Sequence, residues 1–203
     1  KGIAIITGAD GGMGQEITLA LAKDGFQIIM ACKEPEKAYP VCERIKEESG
    51  NEQIEVRGID LSSLSSVHAF AQKILAEGRP VSRLMNNAGV LTTHIRPTVD
   101  GLETIVSVNY VGPYLLTRLL LPLMHKGTRI VNTVSCTYAI GKIESDFFTK
   151  GKNGRFNRIS VYGNTKLALL LFTRELAERV KEKGITVNAS DPGIVSTNMI
   201  TMN

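Results

Sequence analysis

Long apolar runs are the first thing this chain lacks. No stretch among its 203 residues approaches the roughly 20 apolar residues that span a bilayer. The longest candidate, Leu115 to Met124, is broken by Arg118 and Pro122. No membrane segment is therefore expected. Nor is a signal peptide, because the first residues already have the character of a buried strand. That start is abrupt, as expected if an N-terminal extension precedes these residues. Cysteine and histidine are scarce too. Cys32, Cys42 and Cys136 are odd in number and scattered, with neither disulfide nor metal spacing. A reducing, cytoplasmic location is expected. His68, His94 and His125 stand far apart and form no ligand pattern, so no metal site is expected. The net charge is only +4. Basic residues are spread along helices without interleaved aromatics, which argues against a nucleic-acid partner.

What is present is a soluble globular composition, 43% hydrophobic and 22% charged. The length suits one α/β domain with a sizeable core, taken as residues 1–203. Strand and helix signals alternate. Ile3 to Thr7 is a short β-branched run and predicts a buried strand. Gly12 to Lys23 predicts a helix with Met13, Ile17, Ala20 and Leu21 on one side, stopped by Gly25. Phe26 to Cys32 predicts a second strand. Glu36 to Ser49, opened by Pro35 and closed by Gly50, predicts a charged amphipathic helix. Ile54 to Ile59 predicts a third strand. Ser63 to Glu77 predicts a helix capped by Ser62 or Ser63 and ended by Gly78. A fourth strand is expected to begin at Leu84-Met85, and a long helix to run from Gly101 to Met124. Arg129 to Val134 predicts a fifth strand, Ser160 to Lys183 another long helix, and Ile185 to Ala189 a sixth strand. Apolar strands alternating with helices define a single doubly wound, Rossmann-type parallel α/β sheet with helices on both faces. Thr137 to Ile159 is long for a loop in a compact domain; such loops are usually functional or disordered.

The glycines cluster where the first strand meets the first helix, in Thr7-Gly-Ala-Asp-Gly-Gly-Met-Gly14. Ligands of doubly wound sheets bind outside the carboxyl ends of the strands. Gly8, Gly12 and Gly14 would let the backbone turn tightly and approach a pyrophosphate, which the free N–H groups of the helix start would hold. The spacing is Gly-x-x-x-Gly-x-Gly rather than Gly-x-Gly-x-x-Gly. A glycine-rich turn can be purely structural, but the strand-turn-helix context favours the phosphate. Thr7, Gly8, Asp10, Gly11, Gly12, Met13 and Gly14 are the candidate contacts. The second strand ends at Cys32 and Lys33, where NAD-binding folds usually place an acid for the ribose 2′-hydroxyl. Lys33 would instead attract a 2′-phosphate, which points to NADP, with NAD possible. Lys33 as a solvated loop lysine is the alternative, and Asp10 and Glu34 add opposing charge nearby.

Tyr162 and Lys166 stand four residues apart and share one helix face. An ammonium beside a phenol of ordinary pKa about 10 favours the phenolate. Such a pair can pass a proton near neutral pH, as an alcohol or ketone requires when a hydride moves. The same spacing also arises on ordinary helix faces.

Together these residues resemble the short-chain dehydrogenase/reductases over nearly the whole chain. Five motifs stand in that family's order: Thr7 to Gly14, Asp60-Leu61, Asn86-Asn87-Ala88-Gly89, Ser135 with Tyr162-x-x-x-Lys166, and Asp191-Pro192-Gly193. Asp100-Gly-Leu-Glu through Val108-Asn109, Leu167 to Leu176, and the insert between Ser135 and Tyr162 look most like the retinol-dehydrogenase-like branch. The resemblance implies an oxidoreductase that moves a hydride between NADP(H) and a small carbonyl or alcohol. It implies Tyr162 as proton donor or acceptor, with Lys166 lowering its pKa and binding the nicotinamide ribose. Ser135 would bond the substrate oxygen, and Asn109 would hold a relay water. Asp60 and Leu61 would border the adenine, and Asn86, Ala88 and Gly89 the adenosine side. Pro192, Gly193, Val195 and Thr197 would close over the nicotinamide. The resemblance also implies a homo-oligomer, and a substrate wall after Pro192-Gly193. Only Ile194 to Asn203 follows, so the C-terminal substrate segment is expected to be missing.

Some readings stay open. Pro113 lies inside the long helix and cannot donate to the carbonyl four residues back, that of Asn109. It either frees that carbonyl for relay water or only kinks the helix. Phe147, Phe148 and Phe156 of the insert either form an apolar wall or cover the core edge. A nucleotide-binding regulator without turnover would need only the phosphate loop, and another chemistry such as epimerisation could use the same fold.

Overall fold

The computed structural model describes residues 1–148 and 157–193. Six parallel strands form one sheet in the order β3-β2-β1-β4-β5-β6. In chain order they are β1 (Ile3–Thr7), β2 (Gln27–Cys32), β3 (Ile54–Gly58), β4 (Val81–Asn86), β5 (Arg129–Thr133) and β6 (Thr186–Ser190). The order reverses between β1 and β4, which opens a crevice at their carboxyl ends, where such sheets bind ligands.

Strand alternation sorts the core onto two faces. Ala4 and Ile6 pack with Ile28 and Met30 beneath α1 (Gly12–Lys23) and α2 (Pro35–Ser49). Ile3 and Ile5 pack with Ile29 and Leu84 beneath α3 (Leu64–Glu77), α5 (Gly112–Leu120) and α6 (Arg158–Val180). Burying one such isoleucine contributes roughly 1.5–3 kcal/mol, so a register slip, which exchanges the faces, is strongly disfavoured.

Local signals explain most helix ends. Ser63 caps α3 by accepting from the Ser66 N–H, and Gly50 and Gly78 close α2 and α3 in the left-handed region. The expected long helix at 101–124 starts later and is not uniform. Glu103 caps a short α4 (Thr104–Val106), a π turn covers Ser107–Val111, α5 follows, and a 3₁₀ turn ends the run at Leu123. Within the π turn the Gly112 N–H reaches five residues back to the Ser107 carbonyl. The ladder therefore slips by one residue just before Pro113, which has no N–H to donate.

The insert after β5 opens with a 3₁₀ turn over Cys136–Ile140, and Asn157 caps α6 at Arg158. Phe147 is buried in a small cluster with Ile105, Val106, Val161 and Ala168, while Phe148 is exposed. Phe147 thus covers the core edge; Phe156 lies outside the described residues. No helix among the described residues is long and apolar enough to cross a membrane.

Candidate functional site

The β1–α1 turn is built by two glycines. Gly8 has φ +61°, and a Cβ there would lie 3.1 Å from Ala88 Cα. A Cβ on Gly14 would lie 2.0 Å from the Gly8 carbonyl oxygen, so no side chain fits. Gly11 occupies the N-cap of α1 without any side-chain hydrogen bond. The first amides of α1 thus meet no capping side chain, as an anion there requires.

A cleft of about 290 Å³ opens over this turn. Gly8, Asp10, Gly11, Gly12, Met13, Gly14, Lys33, Asp60, Leu61, Ala88 and Gly89 line it, as the sequence predicts. Ala31, Asn87, Thr104 and Val108 line it as well. Three predicted contacts at the strand ends do not. Cys32 points to the opposite face of β2, fully buried beside Asp10, and burial pushes its thiol up to about 12. Thr7 is buried and works as a clasp, its Oγ1 accepting from the N–H groups of Asn87 and Ala88, both at 3.0 Å. Asn86 is buried under the sheet, donating to Asn132 Oδ1 at 2.7 Å and Thr117 Oγ1 at 2.9 Å. Its neighbour Asn87 faces the cleft instead and donates to the carbonyls of Thr7 and Gly8. The buried Asn87 Oδ1 has no partner.

At the far side of the cleft Lys33 pairs with Asp60 at 3.2 Å. Partial burial pushes the Asp60 carboxyl up, but bonds from Ser62 and the Lys33 ammonium outweigh it and hold the group below its usual value. Glu34 is drawn to Lys37 at 2.6 Å. Lys33 is thus partly neutralised by Asp60 yet remains largely solvent-exposed.

Asn109, Ser135, Tyr162 and Lys166 do not line this cleft. They lie on α6 and on the two turns that pack against it. The Asn109 side chain is spent on structure: its Oδ1 accepts from Val90 N–H at 2.8 Å and its Nδ2 donates to Val90 O at 3.0 Å. Only its backbone remains for chemistry. Ser135 follows β5 and caps the next turn, accepting from Thr137 N–H at 3.4 Å. That turn packs against α6 because Gly163 lacks a side chain; a Cβ there would lie 2.7 Å from the Thr137 carbonyl oxygen. Tyr162 shares the Phe147 cluster with Val111 of the π turn.

Lys166 is the most unusual group. It is only 2% exposed, yet its Nζ donates to Thr133 O at 2.8 Å and lies 5.3 Å from the centre of the Tyr162 ring. Burial lowers its pKa to about 8, with Asp191 opposing. The Tyr162 phenol moves upward, not downward. Burial is the main cause, and the charges of Asp191 and Cys136 add to it. The i,i+4 spacing brings ammonium and ring together, but burial and the two negative charges set the direction of the phenol's shift. Pro192 and Gly193 lie just after β6, outside the cleft lining; Val195 and Thr197 lie outside the described residues.

A glycine turn at a helix start, at the switch point of a parallel sheet, defines a dinucleotide-binding α/β protein. The family model for short chain dehydrogenases matches residues 2–203, and the chain belongs to that family. Among its relatives, retinol dehydrogenase 12 of Mus musculus is 40% identical over 95% of this chain and 61% of its own. Retinol dehydrogenase 11 of Homo sapiens is 38% identical over 98% of this chain and 62% of its own. The chain thus spans somewhat under two thirds of these curated relatives, and the resemblance to the retinol-dehydrogenase-like branch is borne out. A solved protein of Mycobacterium Paratuberculosis superposes with TM-score 0.86 at 33% identity, covering 99% of this chain and 71% of that one. A short-chain dehydrogenase from Sphingobium yanoikuyae in complex with NADPH superposes with TM-score 0.78 at 22% identity, covering 98% and 73%; at that identity it speaks for the fold alone.

Proposed function

We propose that the protein is an NADP(H)-dependent oxidoreductase that interconverts a carbonyl and an alcohol, with Tyr162 as general acid/base. The observation that carries the reading is Lys166. A cation buried on a helix costs stability, and packing alone would favour an apolar residue there. Its place over the Tyr162 ring gives the cost a chemical return. At neutral pH Lys166 remains mostly protonated and would favour the phenolate that forms when Tyr162 gives up its proton. Burial keeps the resting phenol protonated, the form that donates in carbonyl reduction. Ser135, at the mouth of the adjoining turn, would bond the substrate oxygen. The Asn109 carbonyl, denied a donor at Pro113, would accept from the water that reprotonates the site. The nicotinamide cofactor, when bound, supplies or accepts the hydride. The first amides of α1 would hold its pyrophosphate, the Asp60-Leu61 wall its adenine, and Lys33 a 2′-phosphate. The domain would be a single unit over residues 1–203.

By their names the relatives act on retinol, so an apolar alcohol or aldehyde is the substrate class to screen first. The test is NADPH consumption over a panel of aldehydes and ketones that includes retinal. Turnover with at least one carbonyl is expected. Tight NADPH binding without turnover across the panel would instead favour a nucleotide-binding regulator. A cytoplasmic location and a homo-oligomer complete the proposal. Fractionation of cells tests the first. Sedimentation tests the second, for which exposed Tyr114 on α5 and Leu171 on α6 offer an apolar face.

A further inference from the structure

We infer that Asp191 is a further residue of the proton-transfer site, where its carboxylate sets the charge balance of Tyr162 and Lys166. This rests on the reading of Tyr162 as the proton donor. Sheet register gives Asp191 its place. Thr133, whose carbonyl anchors the Lys166 ammonium, pairs with Ser190 on β6, and the Val134 N–H donates to Ser190 O at 2.9 Å. Asp191 is the next residue. Paired strands lie about 4.8 Å apart, so Asp191 enters the carboxyl edge of the sheet beside Val134 and Ser135. The carboxylate does not swing freely, because its Oδ1 accepts from the Gly193 N–H at 3.0 Å across the Pro192 turn.

Among the described residues, four ionisable groups act on one another here. Lys166 and Tyr162 come from α6, Cys136 from the turn after β5, and Asp191 from the end of β6. Burial pushes the phenol up and the ammonium down. Asp191 acts on both in one direction: its negative charge disfavours the phenolate and favours the ammonium. It therefore adds to the effect of burial at Tyr162 and opposes it at Lys166. The consequence is a site that stays in its fully protonated, donor-ready form to a higher pH than the pair alone would.

The substitution Asp191→Asn separates charge from structure, since the amide oxygen still accepts from Gly193 while the charge is gone. The measurement is the pH dependence of kcat/KM for NADPH-driven carbonyl reduction, with Tyr162→Phe run in parallel. Activity falls as pH rises and the first of the two protons leaves, that of Lys166, whose pKa lies at about 8. In Asp191→Asn that limb moves to lower pH by about half a unit, the size expected for charges several ångströms apart in water-rich surroundings. Asp191→Glu keeps the wild-type limb. In about 1 M salt, where the Debye length is about 3 Å, the wild-type limb itself moves down toward the Asn variant. Superimposable profiles, or a wild-type limb indifferent to salt, overturn the role of Asp191 while leaving Tyr162 in place if Tyr162→Phe is inactive. Full turnover by Tyr162→Phe overturns both.

Discussion

Replacing Lys166 by Met should stabilise the protein while abolishing its activity. Burial takes the ammonium from 10.5 to about 8, which corresponds to about 3 kcal/mol of cost for keeping it charged inside the fold. Met has a similar length and fills irregular apolar space well. The substitution also removes the bond to Thr133 O, a loss of about 1 kcal/mol. The net gain is about 2 kcal/mol, or about 4–8 °C in Tm for a chain of this size. The sign of the pH dependence follows. Between pH 8 and 10.5 the unfolded chain binds the lysine proton and the folded chain does not, so wild-type stability rises with pH across that window. The advantage of Met is therefore full below pH 8, shrinks above it, and at pH 10.5 gives way to the lost hydrogen bond. Thermal denaturation of both proteins without cofactor, at pH 7 and pH 10, measures it. A Met variant less stable than wild type at pH 7, or a difference that ignores pH, would refute the reasoning.

Two further substitutions probe the cofactor cleft. Gly14→Ala places a methyl carbon 2.0 Å from the Gly8 carbonyl; the turn must open, at a cost of at least about 1–3 kcal/mol, and NADPH affinity by fluorescence titration should collapse with the Tm. Lys33→Glu removes the cation of the cleft wall and leaves Asp60 without its ion pair; NADPH binding should weaken about tenfold, or about 1.4 kcal/mol, while NADH binding changes little, and equal losses for both would exclude a 2′-phosphate contact.

The sheet and its switch point were legible because β1 is a short, largely β-branched run that stops at a glycine cluster. Such runs are buried on both faces, so they say little about which residue points where. That is why Cys32 reads as a cleft residue although Ala31 is the one that faces it, and why Asn86 reads as a ligand contact although Asn87 holds the turn. The π turn was half legible: Pro113 announces a missing donor but not that the ladder slips ahead of it. Periodicity also places Lys166 beside Tyr162. It cannot report that Lys166 is buried and Tyr162 half-buried, and burial is what reverses the shift expected for the phenol. Gly163, whose missing side chain admits the Thr137 backbone, gives no signal beyond being a glycine within a helix. The electrostatic reach of Asp191 depends on strand register, which a single sequence does not display.

The most direct test of the central claim is Tyr162→Phe, assayed with whichever carbonyl the wild type reduces and with NADPH binding measured alongside. General acid catalysis is typically worth about 10²–10⁴-fold. Turnover is expected to fall by at least about 100-fold while NADPH affinity stays within about twofold. Turnover near the wild-type rate, with cofactor bound equally well, would contradict it.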